Sequence, residues 1–247
     1  MKGVSLSLAT AYEQTRAVIR VMIDSLDDQG LSIRIPACPL WTVRDLIAHM
    51  TGVAADAAAG RFPAVNPHGT WAERQAVIDA FTAGHVTDRR RMGLNEVLAE
   101  WSGYLPRLSA LLRGDEPLPP RSMPALDWVV VSDIAAHGQD LRGALGRPGD
   151  RDSAAVALGL QRYVTGLGQR LDAAGLPALR LCTDDREYVA GSTSPLVSVG
   201  ASQWELFRGL GSRRSASQLR ALGWSGDPEQ YVPLIPAYGA RVEDLIE

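Results

Sequence analysis

Helical periodicity through the first 150 residues of this 247-residue chain limits what the chain can fold into. Apolar residues recur at helical spacing over about 5–27, 70–88, 94–113 and 125–146, and another helix begins at Thr42. This spacing places the apolar side chains on one face of each helix. Helices of this kind, joined by short loops, bury these faces against one another. The sequence therefore predicts a four-helix bundle in this part of the chain.

The pattern changes after residue 150. One more helix is predicted, and then short strand-like runs alternate with Gly, Ser and Asp before two short helices follow. The predicted segments are a helix over 152–174, strands at 178–183, 187–191 and 196–202, and helices at 203–210 and 215–221. We therefore predict a mainly α fold with an α+β C-terminal part, and two domains, 1–150 and 151–247.

Charge and hydropathy argue against nucleic-acid and membrane partners. The net charge is -3, and the longest basic run, at residues 89–91, follows directly after Asp88. A nucleic-acid binder needs a broader basic surface. No apolar run approaches the roughly 20 residues of a membrane span, and the N-terminus has no signal-peptide pattern. Cys38 and Cys182 form no Cys-x-x-Cys pair, so we expect two small buried thiols in a cytoplasmic protein.

The four histidines fall into two groups. His68 lies in a loop rich in Pro and Gly, and His85 lies in a polar stretch of helix, so both are predicted to be solvated. His49 instead lies on the apolar face of its helix and is predicted to point into the bundle. Taken alone, it would be read as a core histidine bonded to a carbonyl or hydroxyl group.

Asp133 and His137 change that interpretation because they are four residues apart and project from one face of a helix. That face is otherwise apolar, and an unpaired carboxylate there would cost several kcal/mol. Either the two residues form a hydrogen-bonded pair, or they share a divalent metal with His49 as third ligand. Two imidazoles and one carboxylate suit Zn²⁺ or another first-row ion, and three protein ligands leave positions open for catalysis.

Two further acidic residues lie near these candidate ligands. Asp140, three residues after His137, could orient its imidazole through the ring N–H. The alternative is an exposed carboxylate that pairs with Arg142 or Arg147. Asp45, one turn before His49, is explained by a capping box with Thr42 at the start of the helix.

Arg213 and Arg214 form a second candidate site, and we predict them to be catalytic residues. They precede Ser215, which forms a predicted capping box with Gln218. A helix N-terminus with adjacent arginines suits a carboxylate or phosphate group. Alternatively, the two arginines are solvated or bind Asp227.

Three stretches of the chain resemble signatures of one known family. They are CPLWTVRDLIAHMTG at 38–52, DWVVVSDIAAHGQDLRGALGRP at 127–148 and ELFRGLGSRRSASQLRALGWSGDPEQY at 205–231. Together, and in this order, they resemble the mycothiol-dependent maleylpyruvate isomerase family, part of the wider DinB-like/YfiT-like four-helix metalloproteins. The resemblance implies an N-terminal DinB-like metal-binding bundle and a small C-terminal α/β domain.

The resemblance also implies a chemistry. It makes His49, Asp133 and His137 the ligands of a divalent metal, with Zn²⁺ as first choice and Ni, Fe or Co as alternatives. It makes mycothiol the thiol cosubstrate. The thiol adds across an activated double bond of the substrate, the bond then rotates, and the thiol leaves. In relatives the thiol could instead open electrophiles. We therefore predict a metal- and thiol-dependent isomerase or transferase acting on a small molecule, as a monomer or homodimer.

Two departures from the family pattern keep other functions open. Asp133 stands where the family usually has Glu, and its side chain reaches about 1.5 Å less. Gln139 stands where the family often has an aromatic residue, so the substrate could differ. A non-catalytic regulatory protein that binds a metal or small ligand is one alternative, and a purely structural bundle without metal is another.

Overall fold

The computed structural model describes residues 7–63, 71–119 and 125–247. The chain divides into two compact units, Met1–Arg147 and Pro148–Glu247, and each unit is described by itself. The predicted solvated position of His68 lies outside the described residues. Among the described residues, none of the helices combines the length and the apolar character that crossing a bilayer requires.

The first unit is built from helices and one small hairpin. Its elements are α1 (Leu8–Asp24), α2 (Asp28–Leu31), β1 (Arg34–Ile35), β2 (Cys38–Thr42), α3 (Val43–Ala59), α4 (Trp71–Arg89), α5 (Leu94–Arg113) and α6 (Leu126–Leu145). Helix α1 packs on α5 and α6, and α3 packs on the same two helices, so these four close a bundle. Helix α4 packs against the outside of this bundle on α3.

Local sequence signals explain where the bundle helices begin and end. Thr42 and Asp45 form the predicted capping box at the start of α3, which fixes the entry of this helix. Gly60 ends α3 with a φ of 68°, a left-handed conformation that glycine adopts without steric cost. Inside the bundle, the indole N–H of Trp101 on α5 donates to the Tyr12 hydroxyl on α1 at 2.8 Å. Both side chains are buried, so this bond satisfies two polar groups within the core.

The second unit combines three helices with a four-stranded sheet. Its elements are α7 (Ala154–Ala173), β3 (Leu179–Cys182), β4 (Glu187–Ala190), β5 (Val197–Gly200), α8 (Gln203–Leu210), α9 (Ala216–Arg220) and β6 (Gly223–Ser225). The strand order is β4-β3-β5-β6, with β3 and β5 parallel and the other pairs antiparallel. Helix α7 approaches β4 closely at Gly168, where a Cβ would lie 2.6 Å from the Gly191 nitrogen.

The predicted fold class, mainly α with an α+β C-terminal part, is confirmed by these elements. Strand β6 was not predicted. It forms because its backbone pairs with β5, a contact between segments far apart in sequence. The bundle positions the candidate site, since α3 and α6 carry its residues on facing surfaces.

Candidate metal centre

His49 on α3 meets Asp133 and His137 on α6 inside the bundle. Each residue offers one ligand atom, and the three atoms all lie within 4.8 Å of one another. Oδ1 of Asp133 lies 3.5 Å from Nε2 of His49 and 3.6 Å from Nε2 of His137. Both histidines are buried, and the Asp133 side chain is 22% exposed. The structure thus brings together all three predicted ligands.

The two distances from the Asp133 carboxylate are longer than ordinary hydrogen bonds and match the spacing of ligand atoms around a metal. Hydrogen bonds between nitrogen and oxygen are about 2.7–3.2 Å long, shorter than either distance to the Asp133 carboxylate. Ligand bonds of about 2.1 Å in a tetrahedral site place neighbouring ligand atoms about 3.4 Å apart. Asp133 already lies at this spacing from both imidazoles, so its shorter side chain reaches far enough. The donor set of two imidazoles and one carboxylate is also typical of zinc.

Asp140 holds the outer nitrogen of His137. Its Oδ2 lies 2.9 Å from Nδ1 of His137, and the residue is 1% exposed. The predicted orienting contact is therefore confirmed, and the alternative of an exposed carboxylate is wrong. Asp140 also accepts from the Cys38 thiol at 3.9 Å, so β2 contributes to this side of the site. Because Nδ1 is engaged, His137 presents Nε2 to the centre.

His85 was predicted to be solvated, and this prediction is wrong. The residue is 4% exposed because α4 packs its surface against α3. Nδ1 of His85 lies 3.1 Å from Nδ1 of His49, and Nε2 lies 2.9 Å from Oδ2 of Asp56. Arg61 donates to the other oxygen of Asp56 at 2.8 and 2.9 Å. The outer nitrogen of His49 is therefore engaged by a buried imidazole.

Trp41 forms one wall of the site. Its ring centroid lies 4.7 Å from that of His49 and 6.0 Å from that of His137. An indole in this position excludes water from one side of both imidazoles and strengthens electrostatic interactions there.

A second possible ligand set lies on the outer side of the His137 imidazole. It is formed by Cys38, Asp140 and the shared His137. Cys38 is only half-buried, whereas the sequence predicted a buried thiol.

Without an ion, the three predicted ligands hold unequal charges. Burial lowers the pKa of His49 to about 4, so its imidazole is neutral at pH 7. Burial acts in the same direction on His137, but the Asp133 charge and the contacts with Asp140 and Cys38 outweigh it and raise the pKa to about 10. Burial would raise the pKa of Asp133, yet the two imidazoles lower it to about 2. The metal-free site is thus an ion pair beside a neutral imidazole.

This charge distribution predicts that metal binding releases a proton. A metal needs the lone pair of His137 Nε2, whereas the raised pKa keeps that imidazole protonated at neutral pH. We expect about one proton to be released per Zn²⁺ at pH 7, and an affinity that rises about tenfold per pH unit between about pH 6.5 and 8. Calorimetric titration in buffers of different ionisation enthalpy measures this proton. An affinity that does not change over this interval would contradict the prediction.

Arg213 and Arg214, the predicted catalytic arginines, lie in the second unit. The predicted capping box of Ser215 and Gln218 is present. Arg214 is 4% exposed and pairs with Glu205 and with Glu247, whose Oε2 lies 3.0 Å from its NH1. Arg213 donates to the Gly211 carbonyl at 2.7 Å. Binding of an anion by these arginines stays a prediction, and at Arg214 the anion would compete with two carboxylates.

The fold and site together define a class: a helical bundle that brings two imidazoles and a carboxylate to a buried centre, followed by an α+β unit. Residues 12–142, more than half of the chain, match the family described as mycothiol maleylpyruvate isomerase N-terminal domain. The chain belongs to this family.

Two crystal structures of mycothiol-dependent maleylpyruvate isomerase resemble the chain along most of its length. One, of a histidine-to-alanine mutant, has a TM-score of 0.55 at 14% sequence identity, and the other has 0.52 at 16%. Each likeness covers 88% of this chain and 91% of the other. At these identities the likeness establishes the fold. No curated protein matches the sequence.

Proposed function

We propose that the protein is a metal-dependent enzyme that uses a low-molecular-weight thiol, mycothiol or a close analogue, on a small electrophilic substrate. The observation that carries this proposal is the arrangement of His49, Asp133 and His137 at ligand spacing in a buried site. Family membership supports the thiol, because the family description and both similar crystal structures name mycothiol. Zn²⁺ is the proposed ion, since it suits this donor set.

Each residue of the site has a defined part in this proposal. His49, Asp133 and His137 would hold the ion. A divalent ion there would lower the pKa of a bound thiol, so that the nucleophilic thiolate would exist at neutral pH. The Asp140 carboxylate accepts a hydrogen bond from Nδ1–H of His137 and so keeps Nε2 directed to the centre. Trp41 keeps water from one side of the imidazoles.

Two reactions fit a thiolate nucleophile in such a site. In an isomerisation, sulfur adds to one carbon of an activated double bond, and the electron pair moves to the adjoining carbonyl oxygen. Rotation about the resulting single bond and expulsion of the thiolate then restore the double bond in the other geometry, with no net change in protons. In an S-transfer, sulfur forms a bond to carbon while a leaving group departs with its electron pair. Maleylpyruvate is the first substrate to test.

The thiol part of the proposal is tested with cobalt-substituted protein. Addition of mycothiol is expected to produce a sulfur-to-cobalt charge-transfer band in the near ultraviolet, because a thiolate would enter the ion's coordination shell. Turnover of maleylpyruvate, or of monobromobimane for S-transfer, is then measured with mycothiol, with glutathione and without thiol. Protein stripped of metal is the control and is expected to lose turnover.

The possible outcomes separate the leading function from its alternative. A charge-transfer band together with thiol-dependent turnover supports the enzyme. Metal binding without the band and without turnover of either electrophile would overturn it in favour of a non-catalytic metal-binding protein.

A further inference from the structure

One face of α3 carries three residues that surround the buried ring of His85. His49, Gly52 and Asp56 follow one another at intervals of three and four, so they line up along two helical turns. The distance along the helix from His49 to Asp56 is about 10 Å. The His85 ring lies between them, with Nδ1 directed to His49 and Nε2 to Asp56. A single imidazole from α4 therefore connects these two residues.

Gly52 makes room for this ring. A Cβ at that position would lie 2.4–2.6 Å from three atoms of His85, a separation that real side chains do not tolerate. The turn of α4 that carries His85 is also fixed from the other side. Arg89 donates to the His85 carbonyl at 3.1 Å and forms two hydrogen bonds, at 2.9 and 2.6 Å, with Glu100 on α5. The contact between His49 and His85 is thus built into the packing.

The hydrogen-bond partners favour one placement of the protons when a metal occupies the centre. The Asp56 carboxylate, paired with Arg61, accepts a hydrogen bond, so Nε2 of His85 carries the proton that is donated to it. In a neutral imidazole the other nitrogen, Nδ1, is then an acceptor. It can then receive the Nδ1 proton that His49 carries when a metal takes the lone pair of its Nε2, the atom that faces Asp133.

We propose that His85 and Asp56 are positioning residues that act through His49, holding its imidazole in the tautomer and orientation that a metal at the centre requires. This inference rests on the metal-binding part of the proposed function. His49 and His85 are 2% and 4% exposed, so the hydrogen bond between them is not replaced by water. Outer partners of ligand histidines commonly change metal affinity by about 10- to 100-fold.

The first test compares two substitutions of His85 in the full chain. His85→Ala removes the acceptor and is expected to weaken Zn²⁺ affinity by about 10- to 100-fold, measured by competition with a chromophoric chelator. His85→Asn places an amide oxygen near the position of Nδ1, so it is expected to recover most of that affinity. The visible absorption of the Co²⁺ form is recorded for both, since a loosened His49 changes the ligand geometry and with it the band shape.

The second test moves the ring without removing it. Gly52→Ala displaces His85 and is expected to weaken Zn²⁺ affinity in the same direction as His85→Ala. Gly84→Ala is the matched control. Among the described residues outside the adjoining turns of α4, no atom lies within 4 Å of a Cβ at Gly84, the neighbour of His85. This control is expected to keep the wild-type affinity and the wild-type cobalt spectrum.

The results distinguish failure of the positioning role of His85 and Asp56 from failure of the proposed function. Wild-type affinity and an unchanged cobalt spectrum in folded His85→Ala would overturn the role of His85 while leaving the metal site intact. Equal losses in His85→Ala and His85→Asn would also overturn it, since a general packing defect predicts that result. A wild type that takes up no Zn²⁺ would overturn the metal site and, with it, this inference.

Discussion

His49→Ala is expected to lower the Zn²⁺ content of the purified protein from close to one equivalent to nearly none. The substitution removes one of three ligand atoms and leaves Asp133 and His137, which already neutralise each other as an ion pair. Loss of a hydrogen-bond partner of a ligand lowers metal affinity by up to roughly 100-fold. Loss of a ligand itself is expected to lower the Zn²⁺ affinity by more than that. Metal content is measured by elemental analysis of protein prepared without chelator, and turnover is measured on the same samples.

Met50→Ala provides the matched control for this substitution. Met50 is the next residue on α3 and equally buried, so its truncation destabilises the bundle by about 2–4 kcal/mol without removing a ligand atom. It is expected to retain metal. Equal metal content in the wild type and His49→Ala would contradict the prediction, and metal loss in both variants would mean that packing, rather than ligation, sets the metal content.

Periodicity predicted most helices of the first unit because their apolar residues recur at helical spacing. The predicted segment 94–113 has the same bounds as α5, and the segment 125–146 exceeds α6 by one residue at each end. The segment 5–27 was predicted as one helix, and α1 covers its residues 8–24. The short helix α2, which begins at Asp28, was not predicted. The pairing of the strands could not be predicted from sequence. The parallel contact of β3 with β5 depends on a crossover connection that no local sequence pattern indicates.

The three predicted ligands were accessible from sequence because two of them share a helix face and the third lies on an apolar stripe. His85 was missed because it lies in a polar stretch of α4, and its burial depends on the packing of α3 against that helix. Two signals could have indicated it. Phe81 and His85 are one turn apart, and their rings are 4.6 Å apart in the structure. Asp56 follows His49 by two turns on one face, a position that suits a shared partner.

Asp133 also illustrates why a departure from a family pattern needs coordinates for its interpretation. With one methylene less than Glu, the site could tighten, use a bridging water or bind a metal more weakly. In the structure the shorter carboxylate lies 3.5 Å from His49 on α3 and 3.6 Å from His137 on its own helix. The distance from Asp133 to His49 depends on the separation of α3 and α6, which packing along the whole interface sets and which sequence alone does not give.

A buried charge cluster in the second unit predicts a large loss of free energy of unfolding when one of its members is neutralised. Arg208 is 1% exposed, and its Nε donates to Oε2 of Glu247 at 2.9 Å. The same carboxylate accepts from Arg214, whose other partner is Glu205. Glu247 therefore balances charge on two buried guanidinium groups at once. Removing one partner of a buried ion pair is costly, because the remaining charge stays out of water.

Glu247→Gln keeps the shape of this side chain and removes its charge, so it is expected to lower the free energy of unfolding of the second unit by about 3 kcal/mol. Hydrogen exchange of the α8 amides measures this loss within the full chain. Glu229→Gln is the control, because Glu229 pairs with Arg220 through two similar bonds in an exposed position. Solvent and salt already screen that pair, so its loss is expected to leave exchange unchanged. Equal exchange in the two variants would show that burial does not give the Glu247 cluster its stabilising effect.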